Sequence, residues 1–152
     1  SVDGQEVVKG GIRAMATASD EVITTSGLAK EDIDLLIPHQ ANLRIVEGLE
    51  KMLSLPNATT IKKVHKYGNT SAASIPTALV DALEEGEMKG GEVGSFAAGG
   101  GGLSWGACAL RLGKRTTPIN TSDAKLPDLD GKAVDTIRRA IEYQIPEKLD
   151  LI

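Results

Sequence analysis

Two segments of this sequence place a neutral hydrogen-bond donor at the boundary of a predicted element. His39 follows the apolar run Ile33–Ile37 and precedes a predicted helix, so its imidazole is expected to face a cleft. Asn69 follows Gly68 and precedes the next predicted helix, so its carboxamide stands at a glycine-loosened turn. Two such donors facing one small volume suit a site that stabilises a developing oxyanion.

Each of these residues also has a purely structural interpretation. A lone histidine after a strand is more often a satisfied core residue than a functional one. Asparagine tolerates left-handed backbone and can cap the helix that follows it. The pairing of His39 with Asn69, and the segments around them, favour the functional interpretation.

A run of four glycines, 99–102, separates two predicted strands, 92–98 and 104–112. A simple hairpin turn needs fewer glycines, which indicates that backbone approaches another group closely here. A flexible hairpin is the alternative. A phosphate-binding loop is a poorer explanation, because no Lys-Ser or Lys-Thr pair follows and the glycines do not open a helix.

The elements that would position these residues follow from the apolar pattern. The sequence predicts helices over 5–26, from Asn42 to about residue 54, and from Ser71 to about residue 84. It predicts strands over 33–37 and 61–64, followed by the two strands around the glycines. This order predicts an α/β fold, a layered mixed sheet with helices on its faces.

The composition shifts towards Thr, Asp, Pro and Lys after residue 112. We therefore predict a domain over 1–112 and an extension over 113–152 that packs on it, with a short helix near 131–143. The apolar stripe of that helix is sufficient for docking but hardly for independent folding.

Composition excludes several classes of function. The chain has 152 residues, a net charge of −4 and scattered Lys and Arg without interleaved aromatics, so no nucleic-acid partner is expected. No apolar run is long enough to span a membrane and no secretion signal is visible, so the cytoplasm is the expected compartment. Cys108 is the single cysteine and the chain has two histidines, so neither a disulfide nor a metal site is expected.

Three motifs together carry a family resemblance. The segments Pro38–Ile45, Gly68–Pro76 and Gly100–Leu112 resemble, in order and spacing, the C-terminal half of β-ketoacyl-[acyl-carrier-protein] synthase III, a thiolase-fold condensing enzyme. The resemblance covers about residues 1–112. It implies the C-terminal half of a thiolase-like fold and a decarboxylative Claisen condensation of an acyl thioester with malonyl-acyl carrier protein in fatty acid biosynthesis.

The resemblance also implies roles for single residues. The His39 Nε2 and the Asn69 amide would donate to the thioester oxygen of the malonyl group. The N–H of Gly101 would join the nucleophile's own N–H in a second oxyanion hole. Gly99 departs from the family, because an aromatic residue is expected there, and this change puts substrate preference in doubt.

The family contacts acyl carrier protein through the segment that begins the second helix. Substrates would arrive as phosphopantetheine thioesters of carrier protein or coenzyme A, and no other cofactor is implied. The residues carried over to this role are Gln40, Ala41, Asn42, Leu43, Arg44 and Lys51.

The nucleophilic cysteine of the family has no counterpart here. Cys108 lies within a predicted strand, and we interpret it as an inert buried thiol. The chain is therefore expected to be inactive alone, to require the N-terminal half of the same enzyme, and to form a homodimer in the complete enzyme. Two alternatives stay open: a non-catalytic carrier-protein-binding domain, and a related thiolase-fold acyltransferase of secondary metabolism.

Overall fold

The computed structural model describes residues 4–102 and 104–115, together with Asp135 and Arg138. Within these residues the chain forms four α-helices and four β-strands, with short 3-10 turns at Lys30–Asp32 and Ser71–Ala73. In chain order the elements are α1 Gly4–Thr25, β1 Leu35–Pro38, α2 Leu43–Leu53, β2 Thr59–Thr60, α3 Val64–Tyr67, α4 Ser74–Glu84, β3 Val93–Gly100 and β4 Ser104–Arg111.

The four strands form one mixed sheet in the order β2-β1-β3-β4. β1 is parallel to both β2 and β3, whereas β3 and β4 form an antiparallel hairpin. Every residue of β1 is buried, as expected for a parallel strand covered on both faces. The mixed sheet and its helices confirm the predicted α/β fold.

The two faces of the sheet bury different helices. Leu36 of β1 packs with residues of α1 and α2, including Met15 and Leu49. Its neighbours Leu35 and Ile37 pack on the opposite face, against a cluster that includes α4. This alternation places α1 and α2 on one side of the sheet and α4 on the other.

The helix predictions hold because their local signals are strong. α1 stops before Gly27, whose positive φ of 70° supplies the expected left-handed stop. Asn42 caps α2 as predicted, with its Oδ1 accepting from the backbone N of Ile45 at 3.0 Å. Pro76 lies within the first turn of α4, where a missing N–H is tolerated.

The predicted strand over 61–64 is wrong. The strand β2 is earlier and shorter, Thr59–Thr60, and Val64 begins the short helix α3. The backbone N–H groups of Lys63 and Val64 donate to the Gln40 side chain, at 2.8 and 3.1 Å, instead of to a neighbouring strand. A side chain from a distant segment therefore replaces the ladder that a strand would need.

The chain divides into two compact units, Ser1–Thr117 and Pro118–Ile152. The predicted packing of the extension and its helix near 131–143 lie outside the described residues, apart from Asp135 and Arg138, which are helical. The domain boundary at residue 112 stays a prediction. In the described part of the chain, no helix combines the length and hydrophobicity needed to cross a membrane.

Candidate active site

A cavity of about 360 Å³ opens where the end of β1, the start of α4 and the β3–β4 hairpin meet. These three segments come from distant parts of the chain. The sheet register holds β1 and the hairpin together, and Ser74 connects the start of α4 to His39 and Gln40. The cavity is lined by His39, Ser71, Ala72, Ser74, Ile75, Ala98, Gly99, Gly100, Ser104, Trp105 and Gly106.

His39 follows β1 directly and is held from two sides. Its backbone N donates to the carbonyl of Ala97 in β3 at 2.7 Å, so the parallel ladder continues for one more bond. Its ring Nδ1 lies 2.5 Å from the Oγ of Ser74 at the start of α4. Burial lowers the pKa of His39, which favours the neutral imidazole. The ring nitrogen left for a ligand is Nε2.

Gln40 is buried and uses both ends of its amide. Its Nε2 donates to the carbonyls of Pro38 and Ile61, at 2.8 and 3.2 Å. Its Oε1 accepts from the two backbone N–H groups that lead into α3. With 2% of its surface exposed, the side chain is unavailable to a partner, so the prediction that Gln40 contacts a carrier protein is corrected to a structural role.

Asn69 lies in the loop that leads to the cavity wall. Its Oδ1 accepts from the backbone N of Ser71 at 2.9 Å, in the turn that the structural interpretation anticipated. Because Oδ1 already accepts this hydrogen bond, Nδ2 is the amide atom that remains available to donate, with no partner among the described residues. Asn69 itself is exposed and the lining begins two residues later, at Ser71. Asn69 is therefore two residues along the chain from the cavity that His39 lines and is not itself part of the lining.

The backbone on either side of Asn69 adopts conformations that few residues tolerate. Gly68 has φ 67° and ψ −159°, a region open essentially to glycine alone. Ser71 has φ 52°, which is unusual for a residue with a side chain. Two such residues around one asparagine indicate that the surrounding structure imposes this path.

A cluster of ion pairs holds α3, and hence the start of the Asn69 loop, against α4. The Nζ of Lys66 lies 2.5 Å from Oδ1 of Asp81, and the hydroxyl of Tyr67 donates to the same oxygen at 2.8 Å. The Nζ of Lys63, on a buried side chain, lies 2.5 Å from Oε2 of Glu85. The hydrogen bond from Lys66, followed by that from Tyr67, lowers the pKa of Asp81.

The glycine run divides between strand and turn. Gly99 and Gly100 belong to β3, whereas Gly101 is exposed in the turn of the hairpin, outside the cavity lining. A Cβ added at Gly99 would lie 3.3 Å from Sδ of Met15 in α1. The close approach anticipated for this run therefore exists at Gly99, where the approaching group is a core side chain.

Most of the predicted docking residues lie at the surface around the start of α2. Asn42, Leu43, Arg44 and Lys51 are exposed, and Ala41 is partly exposed. Arg44 and Lys51 are seven residues apart on one helix, so they share a face.

Cys108 lies in β4 as predicted, but it is exposed, so its interpretation as a buried thiol is wrong. β4 is the last strand of the described sheet, and most of its residues are exposed. Its position inside a strand differs from the helix N-terminus that activates a nucleophilic thiol.

Sequence reasoning missed Ser74 and the Lys63–Asp81 cluster. Ser74 belongs to a motif that the sequence singled out, but nothing local shows that a serine 35 residues away would contact His39. In the described part of the chain, no three His, Cys, Asp or Glu side chains group as metal ligands would.

Comparison with known proteins agrees with this geometry. Residues 23–112 match the family model for the C-terminal part of 3-oxoacyl-[acyl-carrier-protein] synthase III. The chain is 44% identical over 140 residues to β-ketoacyl-[acyl-carrier-protein] synthase III 2 of Vibrio cholerae, covering 92% of this chain and 39% of that protein. It is 51% identical over 113 residues to β-ketoacyl-[acyl-carrier-protein] synthase III of Listeria innocua, covering 74% and 36% respectively.

A solved structure shares both fold and sequence. The β-ketoacyl-[acyl-carrier-protein] synthase III of Thermus thermophilus superimposes with a TM-score of 0.66 and 42% identity, over 76% of this chain and 36% of that one. The fold and cavity thus define a thiolase-like α/β domain. The chain belongs to the 3-oxoacyl-[acyl-carrier-protein] synthase III family, in its C-terminal region, and spans less than two fifths of the length of these relatives.

Proposed function

We propose that this chain supplies the enolate-stabilising half of a 3-oxoacyl-[acyl-carrier-protein] synthase III, an acyltransferase of fatty acid biosynthesis. The observation that carries the proposal is the cavity in which His39 has Nδ1 engaged and Nε2 left over, beside a loop whose asparagine has only Nδ2 left over. Two neutral donors then serve one site.

The chemistry follows from where negative charge develops. Decarboxylation of a malonyl thioester leaves an electron pair that delocalises onto the thioester oxygen. The Nε2–H of His39 and the Nδ2–H of Asn69 donate to that oxygen, and a neutral histidine suffices. The Gly101 N–H is proposed to act in a second oxyanion hole, at the carbonyl of the acyl group being transferred.

The nucleophile is proposed to come from the part of the enzyme that this chain does not span. Cys108 stands in β4 and not at a helix N-terminus, where the nucleophilic cysteine of the family lies. The chain alone should therefore not transfer an acyl group.

Two exposed surfaces support the proposal that the N-terminal half of the enzyme packs on this chain. Trp105 and Leu110 of β4 are 55% and 53% exposed, and Val80 of α4 is 52% exposed. Among the described strands, β4 pairs with β3 alone, which leaves its outer edge free. Apolar side chains and an open strand edge are features that a partner normally covers. We propose that the N-terminal half covers them and that the complete enzyme forms a homodimer.

The carrier-protein surface is proposed to centre on residues 41–44, at the exposed start of α2. Lys51 lies on the same face of the helix as Arg44, seven residues further on. Acyl carrier proteins are acidic, so Arg44 and Lys51 offer complementary charge on an otherwise acidic chain. Gln40 is no longer part of this surface.

Reconstitution tests the proposal. The chain is combined with the separately expressed N-terminal half, and malonyl-carrier-protein decarboxylation and acyl transfer to the cysteine are measured separately. His39→Ala and Asn69→Ala should each reduce decarboxylation by about 10²–10³-fold while acyl transfer persists. If acyl transfer fails first, the assigned roles are wrong.

The same mixture separates the alternatives. Binding of malonyl-carrier protein without turnover in any mixture would favour a carrier-binding module. Turnover of coenzyme A thioesters but not of carrier-protein thioesters would favour an acyltransferase of secondary metabolism.

A charge reversal tests the docking surface. Arg44→Glu should raise the KM for carrier protein and leave small thiol-bound substrates almost unaffected. Arg13→Glu makes the same change of charge on the exposed side of α1 and serves as the control. An equal effect of both variants would count against a specific docking role for Arg44.

A further inference from the structure

Ser74 is a buried polar residue whose hydroxyl touches the part of the chain that carries His39. It opens α4 and is 3% exposed. Its Oγ lies 2.5 Å from Nδ1 of His39 and accepts from the backbone N of Gln40 at 3.2 Å. Within the described residues these two contacts are the only hydrogen bonds of the Oγ atom.

The donors and acceptors of these groups determine where the protons lie. A backbone N–H can only donate, so Gln40 N–H occupies one lone pair of the serine oxygen. The hydroxyl then has one proton to give, and Nδ1 of His39 is the acceptor within reach. If Nδ1 carried the ring proton instead, the buried Ser74 hydroxyl would donate to nothing among the described residues, which is costly.

We infer that Ser74 is a positioning residue that fixes the tautomer of His39, by donating its hydroxyl proton to Nδ1 and holding the ring proton on Nε2. In a neutral imidazole one nitrogen is the donor and the other the acceptor, and the bond at one sets the role of the other. The population of the tautomer with its proton on Nδ1 is expected to be lower than that of the Nε2–H tautomer by roughly tenfold or more.

The surroundings keep this arrangement rigid. The backbone N of His39 is bound to Ala97, and the side chain of Gln40 ties the following residue to Pro38 and Ile61. The end of β1, which carries His39, therefore cannot move without breaking these hydrogen bonds. Burial also lowers the pKa of His39, which keeps the ring in the neutral form that has a tautomer to select.

The value of a fixed Nε2–H for catalysis rests on the proposed function, whereas the tautomer itself does not. The tautomer is therefore measured directly on the full 152-residue chain by long-range ¹H–¹⁵N correlation of the histidine rings. His65→Asn removes the only other histidine and leaves the signals of His39 alone. The measurement is made at about pH 8, where a histidine is neutral.

The expected spectrum of the His65→Asn chain shows the proton on Nε2. Adding Ser74→Ala should shift both ring nitrogens towards the averaged values of a tautomer mixture, and Ser74→Thr should restore the original values because it keeps a hydroxyl. Ser95→Ala is the matched control, since Ser95 is also buried and its Oγ has no hydrogen-bond partner in the described part of the chain. It should leave the ring signals unchanged.

Two outcomes would overturn the inference: a ring proton on Nδ1 before Ser74 is changed, or an unaltered tautomer in Ser74→Ala. If Ser74→Ala does not fold, Ser74→Cys decides, because a thiol is a weak donor and should increase the Nδ1–H fraction. An unaltered tautomer there would likewise overturn it.

Kinetics of the reconstituted enzyme then separate this inference from the proposed function. Ser74→Ala should lower kcat for decarboxylation by roughly tenfold with KM nearly unchanged, because only the transition-state donor is affected. If the ring proton lies on Nε2 but no mixture turns over substrate, the proposed function is refuted and the positioning role of Ser74 stands.

Discussion

The two proposed donors are held in different ways. His39 stands at the end of a fully buried strand and is fixed by a ladder bond to Ala97 and by the neutral hydroxyl of Ser74. Asn69 stands in an exposed loop whose preceding helix is fixed by ion pairs of Lys63 and Lys66 with carboxylates of α4.

This difference has a physical consequence. Neutral hydrogen bonds in a buried environment respond little to salt, whereas ion pairs that reach solvent are screened and lose their attraction when a carboxylate is protonated. The His39 side is therefore expected to persist at salt concentrations that loosen the Asn69 side. Gln40 joins the two, because one side chain binds both the end of β1 and the start of α3.

The largest effect on stability is expected from removing the Gln40 side chain, which connects the two sides. Gln40→Ala removes the partners of four buried backbone groups and should lower the free energy of unfolding by about 3 kcal/mol, as measured by urea denaturation. Glu47→Ala truncates an exposed side chain of α2 and should change it by less than about 0.5 kcal/mol. A loss below 1 kcal/mol for Gln40→Ala would mean that the two sides are not coupled through this residue.

Backbone strain at the Asn69 loop gives the next effect. Gly68→Ala introduces a Cβ where φ is 67° and ψ is −159°, and should cost about 2 kcal/mol of unfolding free energy. Gly101→Ala adds the same methyl group where nothing lies within 4 Å, and should cost less than about 0.5 kcal/mol. Equal costs at the two positions would show that the loop is not held in this conformation.

The ion-pair cluster predicts an acid dependence on the Asn69 side. The pKa of Asp81 is lowered from 3.8 mainly by Lys66 and Tyr67, and that of Glu85 from 4.5 mainly by Lys63. Their stabilisation is fully present above about pH 4.5 and is lost as pH falls through the folded-state values. Amide exchange of 64–71 should therefore accelerate as pH falls below about 4.5.

Two variants sharpen this result. Asp81→Asn should flatten the acid dependence of exchange in 64–71, and Tyr67→Phe should do so in part, because it removes one of the two donors to Asp81. An acid dependence of 64–71 that Asp81→Asn leaves unchanged would show that these ion pairs do not hold the Asn69 side.

The smallest effect concerns His39 itself. Because burial lowers its pKa below 6.5, the folded chain binds less proton there than the unfolded chain does. The associated stability is therefore complete above about pH 6.5 and declines as pH falls towards the folded-state value. An NMR titration of the ring should give a lower pKa in the folded chain than in denaturant, and an equal or higher value would contradict the assigned burial.

Local signals predicted a large part of this fold. Apolar spacing and a glycine stop located α1, an asparagine cap located the start of α2, and a run of buried aliphatics located β1 to within two residues at its start. These succeed because a cap or an amphipathic stripe involves residues within one or two turns. The segment 61–64 failed because its backbone partner is a side chain more than 20 residues away.

For the candidate site, too, the sequence indicated local features but not contacts between distant residues. Residue types at 39 and 69, and their place in recognisable motifs, led to the proposal of both as donors, while Gln40 was assigned to a surface that its buried side chain does not reach. Residue type alone does not show whether a polar side chain is exposed, because a buried side chain can find partners for all its donors and acceptors inside the protein.

The amino-acid order alone determined the kind of element at most positions, because periodicity and capping depend on near neighbours. Only the tertiary structure decided how the two proposed donors are held. The Ser74–His39 contact spans 35 residues and the Lys66–Asp81 pair 15. Which polar groups meet across such separations depends on the packing of helices on the sheet, and no short stretch of sequence encodes it.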